Sequence, residues 1–196
     1  MRIARMYVLL AAIGQTMCAA SSPPQPKAPP AVPGCPKLET NGTAPEKKFE
    51  RGRPDLPEGL TCLRWPMPAY RKISSEFMDP DHPFTPGKHD AIDMPAPVGT
   101  DVLAAAAGEV AMTREVEACN DAAVRVDLGE GWAYEVHHLS RVDVAKGEKI
   151  VPGRRLGLSG GEIGAPGSGP WTTGPHLHLM LMHEGAYVDP AKYLCP

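Results

Sequence analysis

The sequence lacks an excess of charge of either sign, and it lacks an apolar run long enough to cross a bilayer. Its 196 residues include 20 basic and 23 acidic side chains, which gives a formal net charge of −3. No basic surface for nucleic acid is expected from this balance. The N-terminal apolar stretch, Met6 to Ile13, is too short for a transmembrane helix. The composition therefore argues against a nucleic-acid-binding protein and predicts no transmembrane span.

The cysteines lack the CxxC spacing of zinc knuckles and of thiol redox motifs. Besides Cys18 there are four of them, at positions 35, 62, 119 and 195. In an oxidising compartment, an even number of cysteines predicts up to two disulfides, with three possible pairings. We therefore interpret these cysteines as structural, and the pairing stays open.

The first 20 residues have the layout of a secretory signal peptide. Arg2 and Arg5 precede the apolar stretch, and small residues follow it up to a plausible cleavage site near Ala20. The residues before Cys18, GQTM, match the small-residue lipobox poorly, so no lipid anchor is expected there. The sequence thus predicts an exported protein of the periplasm or cell envelope, or a secreted one.

Proline is concentrated in one part of the chain, with 12 of the 23 prolines between residues 21 and 70. Residues 21–58 are also charged and almost free of large apolar side chains. Such a segment buries little surface, so it is predicted to be an extended, disordered tether. The folded domain is then expected to span residues 59–196.

From Leu60 onward the pattern is typical of a β domain. The stretches VRVDL (124–128) and WAYEVHHL (132–139) alternate around GEG and predict a hairpin. Residues 101–110, DVLAAAAGEV, favour a strand over a helix because of their valines and Gly108. No internal repeat and no strong 3.6-residue period is visible. We therefore expect a single all-β domain, an antiparallel sheet or sandwich.

Two histidines stand one residue apart in the apolar stretch GPHLHLMLMHEG, residues 174–185. On a strand, His176 and His178 leave the same face, whereas Leu177, Leu179 and Leu181 leave the other. Two imidazoles on one face can bind a metal or transfer protons. A hydrogen-bonded, half-buried pair is the alternative that these residues alone leave open.

A second cluster lies in GKHDAIDMPAPVGT, where His89 and Asp93 share a face at a spacing of four. With one histidine of the HLH strand they would supply three metal ligands. Three protein ligands plus water are typical of a catalytic zinc site. A surface ion pair is the alternative for His89 and Asp93 alone. Two histidines and a carboxylate could also hold non-haem Fe(II).

A third candidate is the pair His137–His138 in YEVHHLS. Adjacent residues of a regular strand point to opposite faces, so only one of the two is expected to share the site. The pattern by itself does not select between them.

The stretch from about Leu63 to Leu194 resembles the lysostaphin-type (LytM-like) zinc metalloendopeptidases, which cut the peptide part of peptidoglycan. Four segments carry the resemblance in the same order. They are RWPMP…ISSEF…HPF, HDAIDMPAPVGTDVLAAAAGEV, HHLSRVDVAKGEKIVPGRRLG and TTGPHLHL…VDPAKYL. Ala91, Val136 and the long loop EIGAPGSGPW depart from the family pattern without removing a candidate ligand.

The resemblance implies a role for each candidate residue. One zinc ion per chain would be bound by His89, Asp93 and His178, and His138 and His176 would be catalytic histidines that do not bind the metal. His137 would then be a partly exposed strand residue. His82, which also matches a family histidine, is expected to form structural hydrogen bonds.

The implied substrate is a peptide of bacterial peptidoglycan, and the sequence indicates no particular regulatory partner. Because the chain has no HExxH motif, no glutamate base is available from that pattern, so a histidine is the expected proton acceptor. Two alternatives remain open. One is a non-catalytic member of the fold that binds cell wall or activates a hydrolase, and the other is a secreted zinc protease that acts on Gly-rich protein.

Overall fold

A computed structural model describes residues 46–196 of the chain. The predicted signal peptide, residues 1–20, lies outside the described residues, as do Cys18, Cys35 and the predicted tether up to residue 45.

Within residues 46–196, ten short strands form two antiparallel sheets, which confirms the expected all-β fold. The strands are β1 Ala91–Pro95, β2 Asp101–Leu103, β3 Gly108–Arg114, β4 Ala123–Gly129, β5 Trp132–His137, β6 Leu139–Val142, β7 Lys149–Ile150, β8 Arg155–Ser159, β9 His176–His183 and β10 Ala186–Val188. The larger sheet has the order β1-β9-β5-β4-β3-β7, and β10 pairs with β9 beyond the end of β1. The smaller sheet has the order β2-β8-β6. A single 3-10 turn, Pro190–Lys192, is the helical structure in the described residues.

Strand β9 lies in the interior of the larger sheet and carries the predicted division of side chains between two faces. Its leucines, Leu177, Leu179 and Leu181, are fully buried in the apolar core. Its histidines at 176 and 178 lie on the opposite face, which forms the floor of a cleft. The period of two in HLHLMLMH therefore separates the core from the candidate site.

The predicted hairpin is present as β4 and β5. The two strands are joined by Glu130 and Gly131, both with positive φ (50° and 76°), which suits the tight turn of a twisted hairpin. Pairs such as Val124–Val136 and Val126–Tyr134 then contribute buried side chains to the core.

The strand expected over residues 101–110 is present at both ends but is interrupted in the middle. Strand β2 belongs to the smaller sheet and β3 to the larger, and the alanines between them carry the chain from one sheet to the other. Ala104, Ala105 and Ala106 are buried, and the backbone N–H of Ala105 donates to the Tyr134 hydroxyl at 3.2 Å. The buried positions where the chain changes sheet are thus occupied by small side chains.

The described part of the predicted tether, residues 46–58, packs against the domain. Phe49 forms a parallel bridge with Tyr187 of β10, and their rings lie 6.0 Å apart. The Tyr193 hydroxyl donates to the Pro54 carbonyl at 3.0 Å, and Leu56 packs against the core. The packed region thus starts before the expected boundary at residue 59, because the few apolar side chains of this segment find partners on β10 and near the C-terminus.

Two cysteines join the two ends of the described domain. Cys62 and Cys195 form a disulfide across a sequence separation of 133 residues, and Cys119 is also disulfide-bonded. The structural interpretation of these cysteines is confirmed for the 62–195 pair. Within residues 46–196 no helix could traverse a lipid bilayer.

Candidate active site

Strand register places three candidate residues in one row across the larger sheet. Asp93 of β1 stands opposite His178 of β9, and His178 stands opposite His137 of β5. Residues directly opposite each other in an antiparallel ladder project from the same face. Three residues that are far apart in sequence are therefore neighbours on the floor of the cleft.

The three expected metal ligands come together at one end of this row. His178 Nδ1 lies 2.8 Å from Asp93 Oδ1, and His89 Nε2 lies 3.3 Å from each of these two atoms. Atoms bound at the usual zinc distance of about 2.0–2.1 Å stand about 3.3 Å apart at the corners of a tetrahedron. The nitrogen and oxygen donors, and their spacing, fit a zinc ion with one corner left for water.

Other donors of the cluster also lie close enough to compete. His138, His176 and His178 form one group with ligand atoms within 4.8 Å of one another, and His82, His89 and Asp93 form another. In the trio of His89, Asp93 and His178, all three pairs of donor atoms lie within 3.3 Å.

Partners outside the trio orient two of its imidazoles. His89 Nδ1 donates to the Glu76 carbonyl at 2.8 Å, which leaves the Nε2 lone pair directed into the cluster. His178 Nε2 lies 3.7 Å from Asp90 Oδ1, and Asp90 is held by Lys47 at 2.5 Å. Such outer partners fix the tautomer and ring orientation of metal-binding histidines.

Burial and hydrogen bonding set the protonation of the trio. Burial lowers the pKa of His178 to about 4, although Asp93 opposes the shift, so the ring is neutral near pH 7. Burial alone would raise the pKa of Asp93, but its close contacts with the imidazoles of His178 and His89 hold that pKa well below its ordinary value. Burial alone would lower the pKa of His89, but the nearby Asp93 carboxylate outweighs that effect, and the pKa is raised. The cluster thus contains an ionised carboxylate that attracts a cation.

The two expected catalytic histidines line the same cleft. His176 Nδ1 donates to the Gly174 carbonyl at 2.7 Å, which leaves a lone pair at Nε2, 3.6 Å from Asp93 Oδ1. Burial lowers the pKa of His176, so this lone pair is available at neutral pH. The ring of His138 meets that of His176 edge-on, with centroids 4.7 Å apart.

The expectations for His137 are wrong in two respects. It is buried rather than partly exposed, and it lies between Asp121 Oδ2 at 2.6 Å and Glu135 Oε2 at 2.8 Å. It also shares the cleft with His138, since both rings contact the ring of His178. His138 has φ 60°, which ends the regular strand and removes the alternation on which the expectation rested.

His82 forms the structural hydrogen bonds expected of it, and it does so inside the cleft. Its Nδ1 accepts from the Thr85 backbone N–H at 3.1 Å, which places the proton on Nε2. The ring stacks on His89 at 4.1 Å, and Nε2 lies 3.8 Å from Asp93 Oδ2. In this tautomer His82 donates toward Asp93 and has no lone pair for a metal at Nε2.

The cleft is a cavity of about 400 Å³ with an aromatic rim. Trp171, which is 45% exposed, contacts Phe84 edge-on at 5.7 Å, and both residues line the cleft. Trp171 belongs to the long loop EIGAPGSGPW, so the departure from the family pattern noted in the sequence lies at the entrance of the cleft.

Sequence reasoning missed three charged residues of the cleft. Lys47 falls in the segment predicted to be a tether, and Asp121 lies in a loop without any motif. Asp90, next to His89, is the one for which a signal existed, because an acidic residue beside a ligand is a common orienting partner.

Known proteins share this fold and parts of this sequence. The profile described as "Peptidase family M23" matches residues 87–190. The peptidoglycan DD-endopeptidase ShyA of Vibrio cholerae is 35% identical over 139 residues, which are 68% of this chain and 30% of ShyA. Protease LasA of Pseudomonas aeruginosa is 38% identical over 89 residues, 45% of this chain and 20% of LasA. The chain thus spans less than a third of the length of these relatives.

Solved structures give the same result. A zinc-containing peptidase from Vibrio cholerae superposes with a TM-score of 0.56 at 27% identity, over 69% of this chain and 41% of that one. The catalytic domain of lysostaphin from Staphylococcus simulans has a TM-score of 0.55 at 21% identity, over 65% and 93% of the two chains, and supports the fold alone. The resemblance seen in the sequence motifs is confirmed, and the chain belongs to peptidase family M23.

Proposed function

We propose that this chain is an exported, zinc-dependent endopeptidase that hydrolyses peptide bonds of bacterial peptidoglycan. The observation that carries the proposal is the compact trio of His89 Nε2, Asp93 Oδ1 and His178 Nδ1, with two further imidazoles beside it. Membership of family M23 and the similarity to a peptidoglycan DD-endopeptidase support the substrate class.

His89, Asp93 and His178 would hold the metal. A zinc ion bound by them supplies a Lewis acid for the scissile carbonyl and brings the pKa of water to about 7. The Glu76 carbonyl would keep the His89 ring turned toward such an ion, and the Asp90 carboxylate lies near the far nitrogen of His178.

The two remaining histidines, His176 and His138, accept the proton of the attacking water and stabilise the negative charge that develops on the carbonyl oxygen. His176 accepts the proton at Nε2, because its Nδ1 proton is tied to Gly174 and its lowered pKa leaves Nε2 unprotonated. His138 faces the same space from the end of β5 and is placed to stabilise the oxyanion.

The test is to incubate the zinc-loaded protein with purified peptidoglycan sacculi and to identify the released fragments by mass. New peptide amino and carboxyl termini are expected, and they should be absent with His176→Ala protein. Cleaved glycan, or intact sacculi, would contradict the proposal. A parallel incubation with a Gly-rich protein separates the alternative, since cleavage of that protein with intact sacculi would identify a general secreted protease.

A further inference from the structure

Asp121 contacts two histidines of the cleft and has no part in the proposed chemistry. It lies just before β4, in the loop that follows β3. Its Oδ2 accepts from His137 Nδ1 at 2.6 Å, and its Oδ1 accepts from the backbone N–H of His138 at 3.0 Å. One carboxylate thus holds both members of the His137–His138 pair.

The backbone of His138 is the element that needs such support. A non-glycine residue in the left-handed region costs about 1–2 kcal/mol, and His138 has φ 60°. This conformation turns the His138 ring away from the core direction that regular alternation would give it and toward His176. The hydrogen bond from the His138 N–H to Asp121 stabilises the peptide unit in that orientation.

His137 fixes the carboxylate from the other side. Its Nε2 binds Glu135 Oε2 at 2.8 Å, and Glu135 is paired with Arg125. Both ring nitrogens of His137 face carboxylate oxygens, which only accept, so the ring donates from both nitrogens and carries both of its protons. With a donor on each oxygen, the Asp121 carboxylate has one orientation.

The loop around Asp121 is braced by the loop that leads to the HLH strand. Asp121 forms an antiparallel bridge with Ser168, and the Gly169 N–H donates to the Asn120 carbonyl at 2.9 Å. A Cβ at Gly169 would stand 2.8 Å from Asp121 Cβ, and Gly169 has φ 67°. This close approach requires glycine at 169, and it sets the position of Asp121 relative to the cleft.

We infer that Asp121 is a positioning residue: its carboxylate holds His138 in a left-handed conformation and thereby directs the His138 ring into the cleft. The inference rests on the proposed function, in which His138 acts on the substrate. In this role Asp121 contacts neither the substrate nor the proposed metal ligands.

The experiment compares Asp121→Ala and Asp121→Asn in the zinc-loaded full chain, with Asp143→Ala as the matched control. Asp143 also binds two partners, Arg141 and Arg155, but it does so away from the cleft. Three quantities are measured: kcat and KM on a soluble cross-linked muropeptide, zinc affinity by chelator competition, and the side-chain NMR signals of the histidines.

The alanine variant should lose kcat by about 10- to 100-fold, because a catalytic group displaced by about 1 Å loses that much. KM and zinc affinity should stay within about threefold of the wild-type values, since binding groups are unchanged. The His138 ring signals should shift in Asp121→Ala and not in Asp143→Ala. Asparagine still accepts from the His138 N–H, so Asp121→Asn should keep roughly a third or more of the wild-type kcat.

The inference is overturned if Asp121→Ala keeps the kcat and the His138 signals of the control, or if both substitutions at 121 lower kcat equally. Should the alanine variant fail to fold, Asp121→Ser replaces it, because a serine hydroxyl is too short to bind both histidines. If the wild-type protein does not cleave the muropeptide, the proposed function fails. The His138 signals then still decide whether Asp121 sets the orientation of that ring.

Discussion

Three imidazoles of the cleft, those of His89, His176 and His178, each present one nitrogen to the cleft while a neighbouring group lies at the other. Carbonyl oxygens of Glu76 and Gly174 accept from Nδ1 of His89 and His176, so both rings direct Nε2 into the cleft. His178 instead presents Nδ1, with Nε2 turned toward Asp90. A backbone carbonyl cannot donate, so the tautomers of His89 and His176 follow from the geometry. These contacts at the periphery support the proposed division into metal ligands and proton acceptor.

Substitutions at the two histidines of β9 should separate metal binding from turnover. His178→Ala removes a ligand, so zinc affinity should fall below detection. His176→Ala should keep one zinc per chain while kcat falls about 10²–10⁴-fold, the range for loss of a general base. Zinc stoichiometry and muropeptide turnover measure the two effects.

His183→Ala is the control for this pair, because His183 lies on the same strand against Trp132 and Glu50. It should keep both zinc and activity. Full activity of the His176→Ala protein would contradict the assigned roles.

His137 should make stability depend on pH in the alkaline range. Its folded pKa of about 9 lies above the unfolded value of about 6.5. Its contribution is therefore complete below about pH 6.5 and is lost as pH rises through about 9. Thermal midpoints in EDTA, measured from pH 6 to 10, should show wild type losing its advantage over His137→Gln across this range, and a constant difference would refute the assignment.

At the scale of single residues, the sequence identified five residues that line the cleft, and the expectation for a sixth, His137, was wrong. His89, Asp93, His138, His176 and His178 all stand in motifs or alternating patterns, and the structure brings them together. His137 was misread because one left-handed residue, His138, breaks the strand alternation, and no sequence pattern announces that break. Asp121 could not be found, because its contacts depend on how two loops meet.

Strand β9 sets the geometry of the cleft at the scale of elements. It pairs with β1, β5 and β10, so residues from three strands take their positions relative to one backbone. The period of two predicts which of its faces carries the histidines. The break between β2 and β3 was not predictable in the same way, because valine and alanine propensities are the same whether or not the chain changes sheet.

The smaller sheet depends on a glycine in its central strand. Gly157 of β8 pairs with Val102 and Val142, and a Cβ there would stand 2.0 Å from the Arg141 carbonyl oxygen. Gly157→Ala should therefore destabilise the protein by about 1–3 kcal/mol or more, as overpacking does. Urea unfolding measures the loss.

Gly52→Ala provides the comparison, since its nearest neighbour would be a side-chain oxygen at 3.5 Å. It should change stability by less than about 0.5 kcal/mol, as substitutions at uncrowded surface positions do. If the two variants were equally stable, β6 and β8 would be able to move apart without a loss in the free energy of unfolding.

At the scale of the whole molecule, the beginning and end of the described domain are held together by covalent and hydrogen bonds. Besides the 62–195 disulfide, Leu63 bridges Leu194, and Trp65 Nε1 donates to the Cys195 carbonyl at 2.8 Å. The even number of cysteines predicts disulfides, but the pairing could be identified only from the fold. Cys62 and Cys195 are 133 residues apart in the sequence.

Replacing both Cys62 and Cys195 with serine should lower the free energy of unfolding by about 2–5 kcal/mol, because the unfolded chain regains the freedom of a long loop. Trp65→Phe, which removes only the nearby hydrogen bond, should cost about 1 kcal/mol. Urea unfolding compares the two. If the double serine variant lost no more stability than Trp65→Phe, noncovalent packing and not the disulfide would hold the two ends of the domain together.

The pairing of Asp93 with His178 across β1 and β9 also links chemistry to assembly. A slip of one residue between these strands would bring a leucine opposite Asp93, and a slip of two would bring His176 there and remove His178 to Ala91. Only one alignment of β1 and β9 brings Asp93 opposite His178. A cation added during refolding would therefore stabilise that alignment relative to the shifted ones. Metal binding during refolding would then select molecules in which the two strands are paired correctly.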